Sequence, residues 1–313
     1  MNSPMSANAR GASADDRTVF YTALYHALLQ PMTGSDADGR YRGYDENIHV
    51  ADGWTYHEYF SLWDTYRTAN PLYALLYPEL ARDVARSLHQ MAKTSGAFPK
   101  WPLAGGDSGS MIGAPAEVVL ADSHLKGVPF DAAGAFATLR AAAMDEPAPA
   151  GGRGGRNNVD SYMKLGYVPA RIGGSVSLTT EYARGDFALS ELAESLGEKQ
   201  VAQALRTRSQ SYRRLYDAKT GFLRARADDG SFGLGSFDAT RYSNDYTEAN
   251  AWQYTATPAL HDAAAFLDIL AHRLLHIHIL ARLHRPNRRQ RMPMIWRGDE
   301  NDIHKIGRAS CRE

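Results

Sequence analysis

A mainly α-helical fold, of the α/α toroid kind, is what this sequence predicts, and three observations carry the prediction. Apolar residues recur at helical spacing along most of the body, while strand-like alternation is scarce. The helices are joined by two long loops, 34–60 and 99–115, rich in Gly, Asp and aromatic residues. Loops longer than about a dozen residues inside a compact domain are usually functional or disordered. Here Tyr41, Tyr44, Trp54, Tyr56, Tyr59 and Trp101 argue against disorder. Helices carrying such loops at one end suggest a toroid with a sugar-sized pocket. Aromatic faces suit the apolar faces of sugar rings, and carboxylates and amides suit the hydroxyls.

Taken in order, the segment 1–17 is small and polar and is expected to be disordered. Thr18 is a candidate cap for a first helix with Phe20, Leu24 and Leu28 on one stripe, ended by Pro31. Leu80, Val84, Leu88 and Met91 repeat at helical spacing, and 132–143 is alanine-rich and helical by propensity. The stretch 147–157 reads as a flexible surface connection. Helices are expected over 187–196, broken at Gly197, and over 201–212. The run 221–226 with Asp229-Gly230 has the composition of a short hairpin.

Bulk properties exclude several classes. With 44% hydrophobic and 22% charged residues the chain is ordinary globular material. A formal net charge of zero gives no bulk field for nucleic acid or an anionic membrane. No apolar run approaches the roughly 20 residues of a membrane span, and the first residues lack the layout of a signal peptide. The single cysteine, Cys311, allows no internal disulfide. The zero charge hides a break: residues 273–313 carry ten Lys/Arg against four Asp/Glu, so this tail is +6 and the rest −6. There is no phosphate loop, dinucleotide fingerprint, nucleophile elbow or zinc motif.

Four constellations carry chemistry. In 60–67, FSLWDTYR, Trp63 beside Asp64 with Arg67 three residues on offers ring stacking and bidentate hydrogen bonding. A plain helix start, with Asp64 as cap and Trp63 as core, is the favoured reading from spacing alone. Asp36, Asp38 and Asp45 alternate in a Gly-containing loop that suits a hard cation such as calcium, although a solvated turn is favoured. Glu248 is flanked by Tyr246, Trp252 and Tyr254, with the amides of Asn250 and Gln253 close by. Apolar aromatic surroundings would raise its pKa, as a general acid near neutral pH needs. A surface Glu in the first turn of a helix is about equally supported. Glu181 reads best as part of a capping box opened by Ser177 or Thr179. His49, His57, His124 and His261 show no metal-ligand spacing.

Several stretches, in order, resemble glycoside hydrolase family 92, the calcium-dependent exo-α-mannosidases. They are FYTALYHALLQP (20–31), SDADGRYRGYD (35–45), FSLWDTYRTANPL (60–72) and PKWPLAGGDSGSMIGAPAEVVLAD (99–122). KLGYVP (164–169), TTEYARGDFALSELAESLG (179–197), RSQSYRRLYDAKTGFLRAR (208–226) and YTEANAWQYTATPALHD (246–262) follow. The resemblance implies part of an (α/α)6 barrel over 18–262, with the family's N-terminal β-sandwich domain missing. It implies an inverting hydrolase that removes terminal α-linked mannose from glycans with calcium, secreted or periplasmic in its intact form. Glu248 would be the general acid, and Trp63, Asp64, Arg67, Trp252 and Gln253 would hold the sugar. The family's Gly after this Glu is Ala249 here, which would be strained if the position needs positive φ. The family's general base lies in a downstream motif that the chain lacks, so the chain alone is expected to be inactive. The calcium ligands are not legible.

After 262 the resemblance stops, and 306–313 looks like translated DNA-sequencing adapter. A slipped reading frame is expected for 263–313, with a basic arm for nucleic-acid or membrane phosphates as the alternative. Two other functions stay open: a non-catalytic carbohydrate-binding protein, and another α/α-toroid glycosidase of trehalase-like or glucoamylase-like kind.

Overall fold

The computed structural model describes residues 11–103, 105–145, 154–233, 237–255 and 261–262. Expectations for 1–10, for most of the connection 147–157 and for the tail 263–313 lie outside the described residues. All described residues belong to the unit Met1–Ile269.

Among them the chain is mainly helical. The helices are α1 (Ala14–Ala27), α2 (Leu62–Thr65), α3 (Ala69–Leu76), α4 (Pro78–Ser95), α5 (Pro115–Leu125), α6 (Ala132–Met144), α7 (Val159–Leu165), α8 (Ser175–Ser195) and α9 (Lys199–Arg208). Sheet is confined to two-stranded antiparallel ribbons: β1 (Met32–Thr33) with β4 (His57–Glu58), β2 (Arg40–Arg42) with β3 (Ile48–Val50), β5 (Pro102–Leu103) with β6 (Gly106–Asp107), and β7 (Tyr216–Asp217) with β8 (Phe222–Leu223). Three of these ribbons lie in or beside the two long loops, which are therefore ordered hairpins. The hairpin expected around Asp229-Gly230 is reduced to one bridge, Arg226 to Phe232, and the ribbon proper pairs Tyr216 with Leu223.

The first helix starts earlier than Thr18. Ser13 and Asp16 form a reciprocal capping box, so α1 begins inside the segment expected to be disordered. Thr18 instead turns its hydroxyl back to the Ala14 carbonyl. None of the α1 residues is buried. The stretch α4 follows its sequence pattern closely. Pro78 opens it, Val84, Leu88 and Met91 are buried, and Gly96 closes it at φ 82°.

The central element is α8. It packs against α5, α6 and α9, and 16 of its 21 residues are buried, which is why sequence periodicity misses its first half. Residues 175–186 are rich in Ser and Thr, poor helix formers. Their hydroxyls are satisfied locally: Thr179 donates to the Ser175 carbonyl and Thr180 to the Ser177 carbonyl. The main core joins α4, α5, α6, α8 and α9 through Val84, Leu88, Leu120, Leu139, Leu189 and Leu205. A second core lies under the C-terminal loops, with Tyr212, Leu215, Leu223, Tyr246, Ala251 and Tyr254.

Between α5 and α8 lies a buried ion cluster. Arg156 bonds Glu117 at 2.9 and 2.6 Å and pairs with Asp186 at 2.7 Å, and all three side chains are almost wholly buried. Arg208 pairs with Asp186 at 2.7 Å, and the Tyr162 hydroxyl donates to it at 2.9 Å. Two guanidinium groups balance two carboxylates, which is the condition for burying charge. Gly185 leaves the space that the Glu117 carboxylate fills. Arg156 closes the stretch expected to be a flexible surface connection, so that end is anchored in the interior instead.

Candidate active site

The start of α8 organises the site. Its cap is Gly174, at φ 69°, which has no side chain to offer the helix. The carbonyls of Asn244 and Asp245 accept the N–H groups of Gly174 at 2.7 Å and Val176 at 3.0 Å instead. Ser177 Oγ accepts the Thr247 N–H at 2.8 Å. The segment carrying Glu248 is thereby clamped to the start of a buried helix. Its φ of 69° favours glycine at 174, and a Cβ there would also press on Thr247 Oγ1 at 3.0 Å. The capping box expected at Ser177 or Thr179 is absent, since both residues lie inside the helix.

Glu248 itself sits at φ 53°, in the left-handed region that a branched or charged side chain enters at a cost of about 1–2 kcal/mol. The strain expected at Ala249 falls one residue earlier, and Ala249 is buried in the second core. Neither reading of the local structure survives intact. No helix begins at Glu248, and the aromatic neighbours do not wall it in. The Tyr246 and Tyr254 rings turn inward, 5.9 Å apart, with Tyr246 Oη donating to the Leu223 carbonyl at 2.6 Å. Glu248 is left exposed. Backbone strain held by a rigid clamp is common at functional positions.

A second group of charges gathers one turn further along α8. Glu181 on α8 is buried; its Oε2 accepts the Tyr66 hydroxyl at 3.0 Å and its Oε1 accepts Arg67 Nη2 at 3.3 Å. Arg184 Nη1 donates to Tyr66 Oη at 2.7 Å. The Arg67 guanidinium lies 4.7 Å from the Tyr66 ring centre and 5.5 Å from that of Trp63. Gly113 in the second long loop packs against Glu181, where a Cβ would clash. Burial, then the Glu181 charge, pushes the Tyr66 phenol up, so it stays protonated. Burial raises the Tyr254 phenol, and the Ser177 hydroxyl lowers it by less. A cavity of about 330 Å³ lies against Tyr66, Arg67 and Arg184, with His261 on its wall.

The predicted site residues therefore separate. Trp63 and Arg67 pack together beside Glu181, and the segment carrying Glu248 is clamped to Ser177, one turn earlier on the same face of α8. Asp64 is exposed on α2, inside the helix rather than capping it; the cap position is Ser61. Trp252 is half-exposed and leans on Phe222, ring centres 5.9 Å apart. The Gln253 amide oxygen accepts the Asn250 N–H at 3.1 Å while Asn250 returns the bond to the Gln253 N–H at 3.0 Å, so both amides brace the loop. Sequence reasoning read Glu181 as part of a cap and did not single out Tyr66. The hydroxyl run before Glu181 imitates a helix start, and only the contact across 115 residues shows its use.

The fit to calcium is negative among the described residues: no group of three or more His, Cys, Asp or Glu side chains converges there. Asp38 bonds Arg40, while Asp45 bonds Asn47 and His49, which holds its carboxyl down at about 2. Asp38 serves the turn before β2, and Asp45 serves the loop joining β2 to β3.

The glycosyl hydrolase family 92 catalytic domain matches residues 5–306. The chain belongs to glycosyl hydrolase family 92. The match passes the last recognisable stretch, at 262, and enters the basic tail. Among solved structures, the chain is similar to a family 92 α-mannosidase of Bacteroides thetaiotaomicron, at 32% identity and a TM-score of 0.77 over 86% of this chain and 36% of that one. It is similar to a family 92 inverting mannosidase of Bacteroides thetaiotaomicron VPI-5482 at 31% identity and a TM-score of 0.77, over 88% and 37%. The chain thus spans a little over a third of the length of these relatives. No curated protein matches it.

Proposed function

We propose that this chain is part of the catalytic domain of an inverting exo-α-mannosidase acting on terminal α-linked mannose of glycans. The observation that carries this is that one face of α8 holds both groups: Glu181 holds Arg67, which lies over the Trp63 and Tyr66 rings, and Ser177, one turn earlier, clamps the segment of the strained Glu248. Family membership and two mannosidase neighbours above 30% identity support it. In this reading Glu248 protonates the leaving oxygen. The Arg67 guanidinium, held by Glu181 and stacked on two rings, orients sugar hydroxyls. Asp64, exposed beside them, adds an acceptor. Trp252 offers a half-exposed ring to a sugar face, and Gln253 keeps the loop in shape. Inversion needs a second carboxyl about 6.5–9.5 Å from the first to activate water. That base, the closure of an (α/α)6 barrel, a β-sandwich domain and the calcium donors would belong to the longer polypeptide.

The intact enzyme would be secreted or periplasmic; among the described residues no helix is long and apolar enough to cross a membrane. A slipped frame for 263–313 stands as a proposal against a family match that reaches 306. Re-reading the source DNA decides it, and an uninterrupted frame contradicts it. The function is tested by calorimetry and an aryl α-mannoside assay on the purified chain. Mannoside binding without turnover is expected. Strong hydrolysis would show that the chain already holds its base, and preference for a glucoside would displace mannose.

A further inference from the structure

Arg184 on α8 is a buried cation short of an anion. The residue is only 8% exposed, and its Nη1 donates to the Tyr66 hydroxyl at 2.7 Å, with the guanidinium 5.1 Å from the Tyr66 ring centre. Among the described residues it takes part in none of the ion pairs. The Tyr66 hydroxyl donates in turn to Glu181, and Glu181 is already paired with Arg67 at 3.3 Å. Two guanidinium groups here share one carboxylate, whereas the cluster at Arg156 sets two against two. Arginine is seldom buried without a partner, because an uncompensated buried charge is costly.

Arg184 lines the cavity of about 330 Å³ beside α5 and α8, a volume at the low end of small-molecule sites. Val118, Ala121 and Leu125 of α5 and Phe187 and Ala188 of α8 make its apolar wall, and the Phe187 ring stacks on that of His261 at 5.3 Å. The two acids on the lining are engaged, Asp122 with Lys126 at 2.6 Å and Glu191 with Arg206 at 2.6 Å. Burial lowers the pKa of His261, so it adds no charge at neutral pH. A sugar ring would find its hydroxyls facing apolar side chains and acids already engaged. A phosphate would bring more charged oxygens than one guanidinium can satisfy against that wall. A carboxylate on a short apolar stem fits both surfaces. Its two oxygens match the fork of a guanidinium, and the stem covers the aliphatic and aromatic side chains.

We propose that this cavity binds a small aliphatic monocarboxylate, with its carboxylate on Arg184 and its stem along α5 and Phe187. The site does not depend on the mannosidase reading, and neither Trp63 nor Glu248 is among the residues that line it.

The test is calorimetric titration of this chain with hexanoate, hexanol and acetate, repeated with Arg184→Gln, Ala188→Leu and Asp268→Asn. Hexanoate is expected to bind at least about tenfold more tightly than hexanol, which lacks the charge, and than acetate, which lacks the stem. Arg184→Gln is expected to remove the advantage over hexanol. Ala188→Leu narrows the cavity and leaves the guanidinium in place, so it is expected to weaken hexanoate about tenfold, and it decides the matter if Arg184→Gln does not fold. No binding of hexanoate, hexanol binding equally well, or hexanoate binding unchanged in Arg184→Gln or Ala188→Leu overturns the proposal. Acetate binding as tightly as hexanoate overturns the apolar stem. Asp268 is the first acid after Asp262 in the sequence. Hexanoate binding that appears only in Asp268→Asn would give the cavity to the chain's own carboxylate and overturn the separate ligand.

Discussion

Glu181 shows how one buried side chain sets its neighbours. Its two oxygens hold Tyr66 and Arg67, so Glu181→Ala strands a hydroxyl and a guanidinium at once. Leaving the buried Tyr66 hydroxyl without its acceptor costs about 1–3 kcal/mol, whereas the one-third-exposed Arg67 guanidinium is left to solvent. We expect a fall in unfolding free energy of that order in urea titration, with weaker mannoside binding; an unchanged midpoint would remove Glu181 from this role. Three buried imidazoles contribute to the pH response. Burial pulls the pKa of His57, His89 and His261 below the ordinary value, with smaller contributions from neighbours. The unfolded chain then binds more protons, so stability is present above about pH 6.5 and is lost as pH falls through the folded values. A thermal midpoint lower at pH 5.5 than at pH 7.5, with a shallower drop in His57→Gln, is expected. An equal drop in that variant would assign the effect to other groups.

Among the elements, α8 and the segment 244–248 act as one unit. Ser177→Ala removes the acceptor of the Thr247 N–H and is expected to cost about 1 kcal/mol. The same change should speed amide exchange at 247–249, and exchange identical to the parent chain would contradict the clamp. Gly185→Ala pushes a methyl into the Glu117 carboxylate and its Arg156 partner, so a loss of about 1–3 kcal/mol is expected by chemical unfolding. The elements differ in how far the sequence reveals them. The helix α4 announces itself, because its apolar stripe faces one core and its ends carry Pro78 and Gly96. The first half of α8 is hidden, because a helix buried on every side loses its periodicity and its hydroxyls look like caps. The Glu248 segment stands out by composition, but its inward-turned tyrosines and left-handed backbone come from tertiary contacts that no local pattern encodes.

At the scale of the whole molecule, the described residues form a mainly helical body. One end of its central helix gathers segments distant in sequence, among them Tyr66 and Arg67 beside α2, Gly113 of the second long loop, and Asn244 to Thr247. Family 92 membership is legible because several strings recur in order, whereas calcium is not, since the loop carboxylates are spent on turns. Because the chain spans 36% of a solved relative, we expect no turnover of an aryl α-mannoside by the chain alone. The most direct test of the central claim uses an intact family 92 polypeptide carrying these residues, compared with its Glu248→Gln variant. Hydrolysis of an α-mannobiose is predicted to fall by about 10²–10⁴-fold, the usual contribution of a general acid, while mannoside binding persists. Hydrolysis at the parent rate by the Glu248→Gln enzyme would contradict that role for Glu248.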